Sequence, residues 1–370
     1  MRIIEAISDT NIGGAGILLV NRLKHTDREK YKTTVLIPKD SRLCQRLADI
    51  KVDFVEIDGC RDRSFDLSAL PQYIREIKKI HPQIINSHGC MTSRVAAYLC
   101  RVPVRICTRH CVFPISPRGG SRRRVTGAVN SALSHRFVAV AHAAAQNLID
   151  LGVNGKKITV IINGAEALQT LDDNQKREIR RRLDISDTTH VLCMNARLVE
   201  CKGHKYLLLA LKKLLSEGFD VTALLLGDGS HRGELERQCR DLGIGNSVIF
   251  TGFVPDVSPY MNIAHININC SVGTETSSLA LSEGMSIGLP AVVSDFGGNP
   301  YMVRHGVNGF VYPQGDHVAL SDSIKRLIED RELYRQMSEN SRRRFAEELN
   351  AAAMADKTTA LYDLLYGRTR

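Results

Sequence analysis

The sequence alternates short β-branched runs with longer stretches of helical period, and it does so twice along the chain. In the first half the predicted strands are 3–7, 33–37, 54–57, 84–86, 104–108, 137–141 and 158–162. In the second half they are 191–195, 222–226, 248–250, 266–269, 291–294 and 309–311. Segments with helical spacing of apolar residues separate them, such as 67–80, 92–100, 206–215, 279–286 and 316–327. This βαβ rhythm predicts an α/β fold with parallel, doubly wound sheets.

The rhythm lapses through the polar stretch 169–175 and then resumes. A single hydrophobic core rarely extends beyond about 250 to 300 residues, so the 370 residues of this chain predict two α/β domains. We expect them to join near residue 165, with the cleft between them as the ligand site. The last ~55 residues have only helical periodicity.

Composition and cysteine spacing exclude several classes of protein. With 43% hydrophobic residues the chain is neither disordered nor collagen-like, and it has no apolar run long enough to span a membrane. Its N-terminus leads directly into a predicted strand and does not resemble a signal peptide, so we expect a chain that is not exported. The ten cysteines form no Cys-x-x-Cys pair, which argues against zinc and thioredoxin-type sites and favours reduced thiols.

The net charge of +10 is concentrated in the first half of the chain. Residues 1–170 carry +12 and residues 171–370 carry −2, and residues 101–150 contain eight arginines and one acid. The local maximum is the stretch 117–124. It is either a solvated basic loop or a site for an anion: a phosphate-bearing substrate, an anionic membrane surface or nucleic acid. Few aromatic residues accompany these arginines, which disfavours binding of single-stranded nucleic acid by stacking.

In open α/β sheets ligands bind beyond the carboxyl ends of the strands, so motifs there are candidate site residues. Gly13 and Gly14 follow the first strand, either as a tight turn or as a turn whose backbone N–H groups hold an anion. No Gly-x-Gly-x-x-Gly or Gly-Lys-Ser/Thr phosphate loop is present. His88 and His110 follow two further strands, and two histidines at adjacent strand ends are as consistent with a functional role as with a structural one.

The second half has the more specific motifs. Arg197 and Lys202 follow its first strand, where a guanidinium fork and an ammonium point charge would hold two phosphates. Glu275 and Glu283 are eight residues apart. If both residues are helical, they lie on one face of the helix. If Glu275 instead lies in a preceding loop, it lies at the cleft, and Glu283 lies one helical turn deeper.

Together these motifs resemble the retaining glycosyltransferases of family 4, whose GT-B fold has two Rossmann-like domains facing a cleft. The match covers nearly the whole chain and is most specific in 195–313, with the Glu-x7-Glu element, Gly297-Gly298 and 308–310. It implies an acceptor-binding domain over 1–165, completed by a C-terminal helix over 352–370. The nucleotide-sugar-binding domain would be 166–351.

The resemblance also implies roles at the matching positions. Arg197 and Lys202 are similar to the pair that binds the donor diphosphate, and Glu283 to the acid that accepts hydrogen bonds from the ribose. Glu275 is similar to the acid that reads hydroxyls of the transferred sugar, and His110 to a histidine near the reacting carbon. The implied catalytic residues are therefore His110, Arg197, Lys202 and Glu275. The other donor-binding positions are Gly13, Gly14, Gly227, Val254, Ser278, Leu279 and Glu283. The acceptor or membrane positions are His88, Arg118, Arg122, Arg123 and Arg124.

The chain departs from the family pattern at Ala196, at Cys201 and at 276–278, and the last of these bears on the donor sugar. The expected activity is retaining transfer of a sugar, with UDP as the expected carrier, to a glycan or lipid-linked acceptor. We expect no metal, because no Asp-x-Asp pair is present at a strand end, and no other cofactor. The expected location is the cytoplasm, with or without attachment to the inner face of a membrane. A nucleotide-sugar epimerase and a basic nucleic-acid-binding protein are the alternatives.

Overall fold

The structure, a computed structural model, describes residues 1–10, 13–112, 120–273 and 275–369, and of residues 120–124 it describes the backbone. The chain forms two compact units: residues 1–165 with 351–370 (unit 1), and residues 166–350 (unit 2). Each unit is built on one sheet whose registered strand pairs are all parallel. The prediction of doubly wound parallel sheets is confirmed.

Unit 1 has a seven-stranded sheet in the order β3-β2-β1-β4-β5-β6-β7. Its strands are β1 Arg2–Ile7, β2 Lys32–Pro38, β3 Asp53–Ile57, β4 Ile84–His88, β5 Val104–Arg109, β6 Arg136–Ala139 and β7 Ile158–Val160. Its helices are α1 Gly14–Lys24, α2 Leu43–Asp49, α3 Leu70–Ile80, α4 Met91–Leu99, α5 Gly120–Leu133, α6 His142–Asp150 and, from the C-terminus, α15 Ala351–Gly367. Apolar side chains of the strands and helices form cores on both faces of the sheet.

Unit 2 has a six-stranded sheet in the order β10-β9-β8-β11-β12-β13. Its strands are β8 His190–Asn195, β9 Val221–Leu226, β10 Val248–Gly252, β11 Ile266–Asn269, β12 Ala291–Ser294 and β13 Gly309–Tyr312. Its helices are α7 Asp173–Arg182, α8 His204–Ser216, α9 Arg232–Asp241, α10 Ser258–Asn262, α11 Leu279–Ser286, α12 Asn299–Met302, α13 His317–Glu329 and α14 Arg331–Arg344. A π-helical turn, Phe345–Leu349, precedes the return of the chain to unit 1.

The strand order reverses once in each sheet, and the reversal identifies where a ligand would bind. It falls between β1 and β4 in unit 1 and between β8 and β11 in unit 2. At such a point the connecting helices leave on opposite faces and open a crevice beyond the strands' carboxyl ends. The motifs that follow these four strands therefore border the expected ligand sites.

One predicted helix boundary is wrong. The apolar spacing predicts a helix from residue 67, but α3 begins at Leu70, and the side chain of Leu67 is exposed. Pro71 is the second residue of the helix and has no N–H to donate, which suits the first turn but not the helix interior. Leu67 matches the helical spacing by coincidence.

Candidate active site

In unit 2 the loop between β8 and α8 begins at Asn195 and ends at Gly203. Arg197 is exposed, and no hydrogen bond or ion pair engages its guanidinium within the described part of the chain. Lys202 ends a 3-10 turn, and Gly203, with φ of +70°, caps α8. A Cβ on Gly203 would lie 2.1 Å from the carbonyl oxygen of Cys270, so this close approach requires glycine. The first turn of α8 and both cations are thus brought to one edge of the sheet.

Lys202 and Glu275 meet at this edge. The Lys202 Nζ lies 2.8 Å from Oε2 of Glu275, and the same oxygen accepts hydrogen bonds from Asn269 Nδ2 and Ser271 Oγ. Burial raises the pKa of Glu275, but the Lys202 charge and these hydrogen bonds outweigh burial and lower it. Glu275 is therefore a carboxylate held in one orientation beyond β11.

Glu283 has the opposite electrostatic environment. It lies within α11, whereas Glu275 lies in the preceding loop, so the two glutamates do not share a helix face. The helix begins after Ser278, whose hydroxyl accepts a hydrogen bond from the backbone N–H of Leu281. Burial raises the pKa of Glu283 to about 7, and its Oε2 lies 3.5 Å from Asn195 Nδ2. A group that donates hydrogen bonds to this carboxyl would favour its ionised form.

Two glycine motifs of unit 2 allow its loops to pack against one another. Gly227 has φ of +133°, and a Cβ there would lie 2.2 Å from the carbonyl oxygen of Ala196. A Cβ on Gly297, where φ is +61°, would lie 2.2 Å from the carbonyl oxygen of Glu275. These glycines shape the loops that carry Arg197 and Glu275. Val254, another predicted donor position, is half-buried against an apolar cluster of unit 2.

In unit 1, Gly13 and Gly14 form the start of α1 beyond β1. Gly13 is the N-cap residue and Gly14 the first residue of the helix. Among the described residues that are not its chain neighbours, none has an atom within 4 Å of a Cβ built on Gly14, so their packing does not require glycine there. The backbone N–H groups of this turn are in the position that favours an anion.

His88 and His110 are brought together at the other side of the reversal point. Nδ1 of His88 lies 2.8 Å from Nε2 of His110, and the two rings are stacked. Nε2 of His88 lies 2.8 Å from Oε2 of Glu5, a fully buried carboxyl group. The other oxygen of Glu5 accepts a hydrogen bond from Tyr362 at 2.8 Å and pairs with Arg22 at 2.6 Å. Both histidines line one cavity of unit 1, together with Asn86, Thr108 and residues of α1 and α15.

The charge states in this cluster follow from burial and pairing. Burial raises the pKa of Glu5, but Arg22 and the hydrogen bonds from His88 and Tyr362 outweigh it and lower the value to about 2. Burial and the neighbouring His88, Arg22 and Arg109 hold the pKa of His110 well below its usual range. Glu5 is therefore ionised and His110 neutral at physiological pH.

The sequence motifs alone do not identify Glu5, Arg22 or Tyr362 as parts of this cluster. Glu5 interrupts the apolar run of β1, and Arg22 interrupts the apolar face of α1. A charged residue inside a buried strand of a parallel sheet needs a partner, and this signal indicates Glu5. Tyr362 gives no such signal, because its helix returns from the far end of the chain.

The basic stretch lies partly outside the described residues. Arg118 is outside them, and so are the side chains of Arg122, Arg123 and Arg124, whose backbone forms the first turn of α5. Farther along α5 an exposed apolar stripe is present at helical spacing, formed by Val125, Ala128, Val129 and Ala132. We call this surface the α5 stripe.

Within the described ranges no helix has the length and apolar character needed to cross a bilayer. Among the same residues no group of three or more histidine, cysteine or acidic side chains is arranged to hold a metal ion.

Both halves of the chain match glycosyltransferase family profiles. The family profile described as Glycosyl transferases group 1 matches residues 175–344, and the Glycosyltransferase Family 4 profile matches residues 12–167. An uncharacterised glycosyltransferase of Methanocaldococcus jannaschii is 28% identical over 214 residues, which are 56% of this chain and 54% of that protein. The match therefore spans about half the length of that relative.

Two further proteins are similar over most of the chain. The Escherichia coli UDP-Gal:alpha-D-GlcNAc-diphosphoundecaprenol alpha-1,3-galactosyltransferase is 24% identical over 350 residues, 90% of this chain and 89% of its own length. The crystal structure of Anabaena HepE in complex with UDP has a TM-score of 0.85 at 21% identity, covering 98% of this chain and 100% of that one. Similarity at this level of identity shows a shared fold.

Proposed function

Because this chain belongs to the family 4, group 1 glycosyltransferases and has their GT-B fold, we propose that it transfers a sugar from a nucleotide diphosphate sugar to a glycan or lipid-linked acceptor. The observation that carries the proposal is the cluster at the reversal point of unit 2. There an unengaged Arg197, the Lys202–Glu275 ion pair and the buried Glu283 lie on loops and a helix that follow β8 and β11. UDP is the proposed carrier, since it is the nucleotide named for both HepE and the Escherichia coli relative.

Cleavage of the donor leaves negative charge on a diphosphate, so the main catalytic requirement is positive charge held in place at the leaving group. Lys202 is already paired with Glu275, whereas Arg197 has no partner in the described part of unit 2. We therefore assign the larger share of diphosphate binding to Arg197 and to the N-terminus of α8. These groups would supply that charge without a metal ion, and the turn at Gly13 and Gly14 in unit 1 is a second proposed phosphate site.

Glu275 and Glu283 would divide the recognition of the donor between them. Glu283 would accept hydrogen bonds from the ribose hydroxyls, which lower the pKa of a buried carboxyl. Glu275, held through one oxygen by three side chains, would orient the transferred sugar. An ion-paired carboxylate with three fixed hydrogen bonds is poorly placed to serve as a nucleophile.

We therefore propose retention by attack on the same face of the sugar. The acceptor oxygen bonds to the anomeric carbon while the bond from that carbon to the phosphate oxygen breaks. The acceptor proton passes to the departing phosphate, so no protein nucleophile is needed. A retaining glycosidase, by contrast, forms a covalent sugar-enzyme intermediate on a carboxylate.

The acceptor side of the proposal rests on unit 1. The α5 stripe follows three arginines directly, and an apolar helix face next to clustered cations suits the surface of an anionic membrane. The Escherichia coli relative is named for a diphosphoundecaprenol acceptor, which is lipid-linked. We propose that α5 contacts the membrane in which such an acceptor is anchored.

A panel of nucleotide sugars tests the function directly. Thermal stabilisation by one UDP-sugar is expected, about 2.7 kcal/mol at 100 times its Kd, with a smaller shift in Arg197→Ala and Glu283→Ala. The matched control is Arg177→Ala, an exposed arginine of unit 2 away from the site. No stabilisation by any donor would overturn the donor site.

The same donor then separates the possible reactions. With acceptor present, the anomeric configuration of the product, read by NMR, is expected to match that of the donor, and chelation with EDTA is expected to leave turnover unchanged. Release of free UDP without any acceptor would instead indicate an epimerase. An inverted product would overturn the proposed retention.

A further inference from the structure

Glu5, His88 and His110 form one continuous hydrogen-bonded chain from the core of unit 1 to the cavity described above. The two contacts, Glu5 Oε2 to His88 Nε2 and His88 Nδ1 to His110 Nε2, are both 2.8 Å. Glu5 and His88 are buried, and Arg22 and Tyr362 hold the far oxygen of Glu5. The carboxylate of Glu5, at the inner end of this hydrogen-bonded chain, is therefore held in one orientation.

The direction of each hydrogen bond follows from which group has a proton to donate. A carboxylate only accepts, so the proton between Glu5 and His88 belongs to Nε2 of His88. Arg22 already balances the charge of Glu5, so His88 can bond as a neutral ring. In a neutral imidazole with its proton on Nε2, Nδ1 is an acceptor. The hydrogen bond between the histidines must then be donated by Nε2–H of His110, which leaves Nδ1 of His110 as an acceptor.

We propose that Glu5 and His88 are positioning residues that hold His110 as its Nε2–H tautomer, so that its Nδ1 is presented to the cavity of unit 1 as a hydrogen-bond acceptor. This inference rests on the proposed function and on the family resemblance, which implies that His110 lies near the reacting carbon. The arrangement uses the logic of other active sites, where a buried carboxylate fixes the tautomer of a catalytic imidazole. Glu5, His88 and His110 lose no proton during sugar transfer, since the departing phosphate takes the proton of the acceptor.

The charged and titratable groups around the two rings come from several elements. They are Glu5 on β1, Asp9 in the loop after it, Arg22 on α1, Arg109 at the end of β5 and Tyr362 on α15. Arg22 and Arg109 oppose a positive charge on His110, and Glu5 favours one.

Nitrogen-15 NMR of histidine-labelled protein tests the tautomer without any assay of activity. The signals of His110 and His88, assigned through His110→Gln and His88→Phe, are expected to show a proton on Nε2 and none on Nδ1 in both rings. In His88→Phe, His110 is expected to shift to the other tautomer or to a mixture. A doubly protonated His88, or a wild-type His110 with its proton on Nδ1, would overturn the proposal.

Steady-state kinetics of His88 variants test whether the position of His110 affects catalysis. In His88→Phe we expect kcat to fall between about tenfold and a hundredfold, with the donor KM little changed, as is typical when a partner behind an active-site ligand is removed. His88→Gln offers a donor toward Glu5 and an acceptor toward His110, so it is expected to restore part of kcat. Donor-induced thermal stabilisation of each variant checks that the protein is folded. Equal losses in His88→Phe and His88→Gln, or an unchanged kcat in both, would contradict a positioning role.

The two proposals fail in different ways. If the wild-type protein stabilises with no nucleotide sugar and transfers none, the proposed function fails while NMR still reports the tautomer. If transfer is normal and His110→Gln has no effect on it, the function stands and the role of His110 is wrong.

Discussion

Glu283 is a carboxyl group whose pKa the protein raises from its usual 4.5 to about 7 by burial. If both ribose hydroxyls donate hydrogen bonds to this carboxyl group, they favour its ionised form, because protonation turns one of its two acceptor oxygens into a donor. We expect the affinity for the UDP-sugar that stabilises the protein, whose diphosphate diester does not titrate near neutral pH, to increase about tenfold between about pH 6 and pH 8. Calorimetry in buffers of different ionisation enthalpy should show a proton released on binding near pH 6. Glu283→Gln is expected to bind weakly with a flat pH profile, and the same pH dependence in this variant would refute the assignment.

The same residue predicts how stability depends on pH in the absence of ligand. Below pH 4.5 Glu283 is protonated in both the folded and unfolded states, so it has no effect. As pH rises toward 7 the unfolded state ionises and the folded state does not, so the free energy of unfolding falls by an amount approaching about 3 kcal/mol. Chemical denaturation should show this fall in the wild type and a smaller one in Glu283→Gln.

The helices α1 and α8 both begin beside a glycine at a strand end, but for different reasons. A Cβ on Gly14 would have none of the described non-neighbouring residues within 4 Å, whereas a Cβ on Gly203 would collide with the carbonyl of Cys270 at a positive φ. Gly14→Ala should therefore keep or slightly raise the melting temperature, since alanine favours helix by up to about 1 kcal/mol. Its kcat/KM for donor should fall, because the added methyl group would occupy the space next to the proposed phosphate site.

Gly203→Ala is the contrasting variant. It is expected to lower the melting temperature, because it combines backbone strain with a steric clash. If Gly14→Ala instead lost stability and kept its activity, the first turn of α1 would have a structural role only.

Strand positions were predictable because each strand is a short β-branched run between helix-period segments, and all thirteen predicted strands overlap an observed one. The pairing of Lys202 with Glu275 was not, since 73 residues separate them and only the reversal of strand order brings their loops together. The contacts of Glu5 with His88, Arg22 and Tyr362 were even harder to predict from the sequence. Its partner Tyr362 is 357 residues away in sequence, on the helix that returns to unit 1. Residue type and spacing indicate which groups carry chemistry, and topology decides which of them meet.

The asymmetry of charge along the chain leads to a prediction for the intact protein. Residues 1–170 carry +12 and the rest −2, and three of the arginines directly precede the α5 stripe. Each basic residue near an anionic membrane contributes about 1 kcal/mol of attraction. Reversing Arg122, Arg123 and Arg124 to glutamate should therefore weaken binding to phosphatidylglycerol vesicles by at least about a hundredfold in sedimentation assays.

A variant of equal net charge distinguishes a local contact from a general effect of charge. Arg177→Glu, Arg237→Glu and Arg240→Glu together change three exposed arginines of unit 2. If the membrane contact is at α5, this variant should bind the same vesicles much more strongly than the α5 variant at every salt concentration. Replacing Val125 and Val129 with serine should weaken the binding that persists at high salt, where apolar insertion rather than charge holds the protein. Equal loss of binding in the two charge variants would show that net charge alone, and not α5, brings the protein to the membrane.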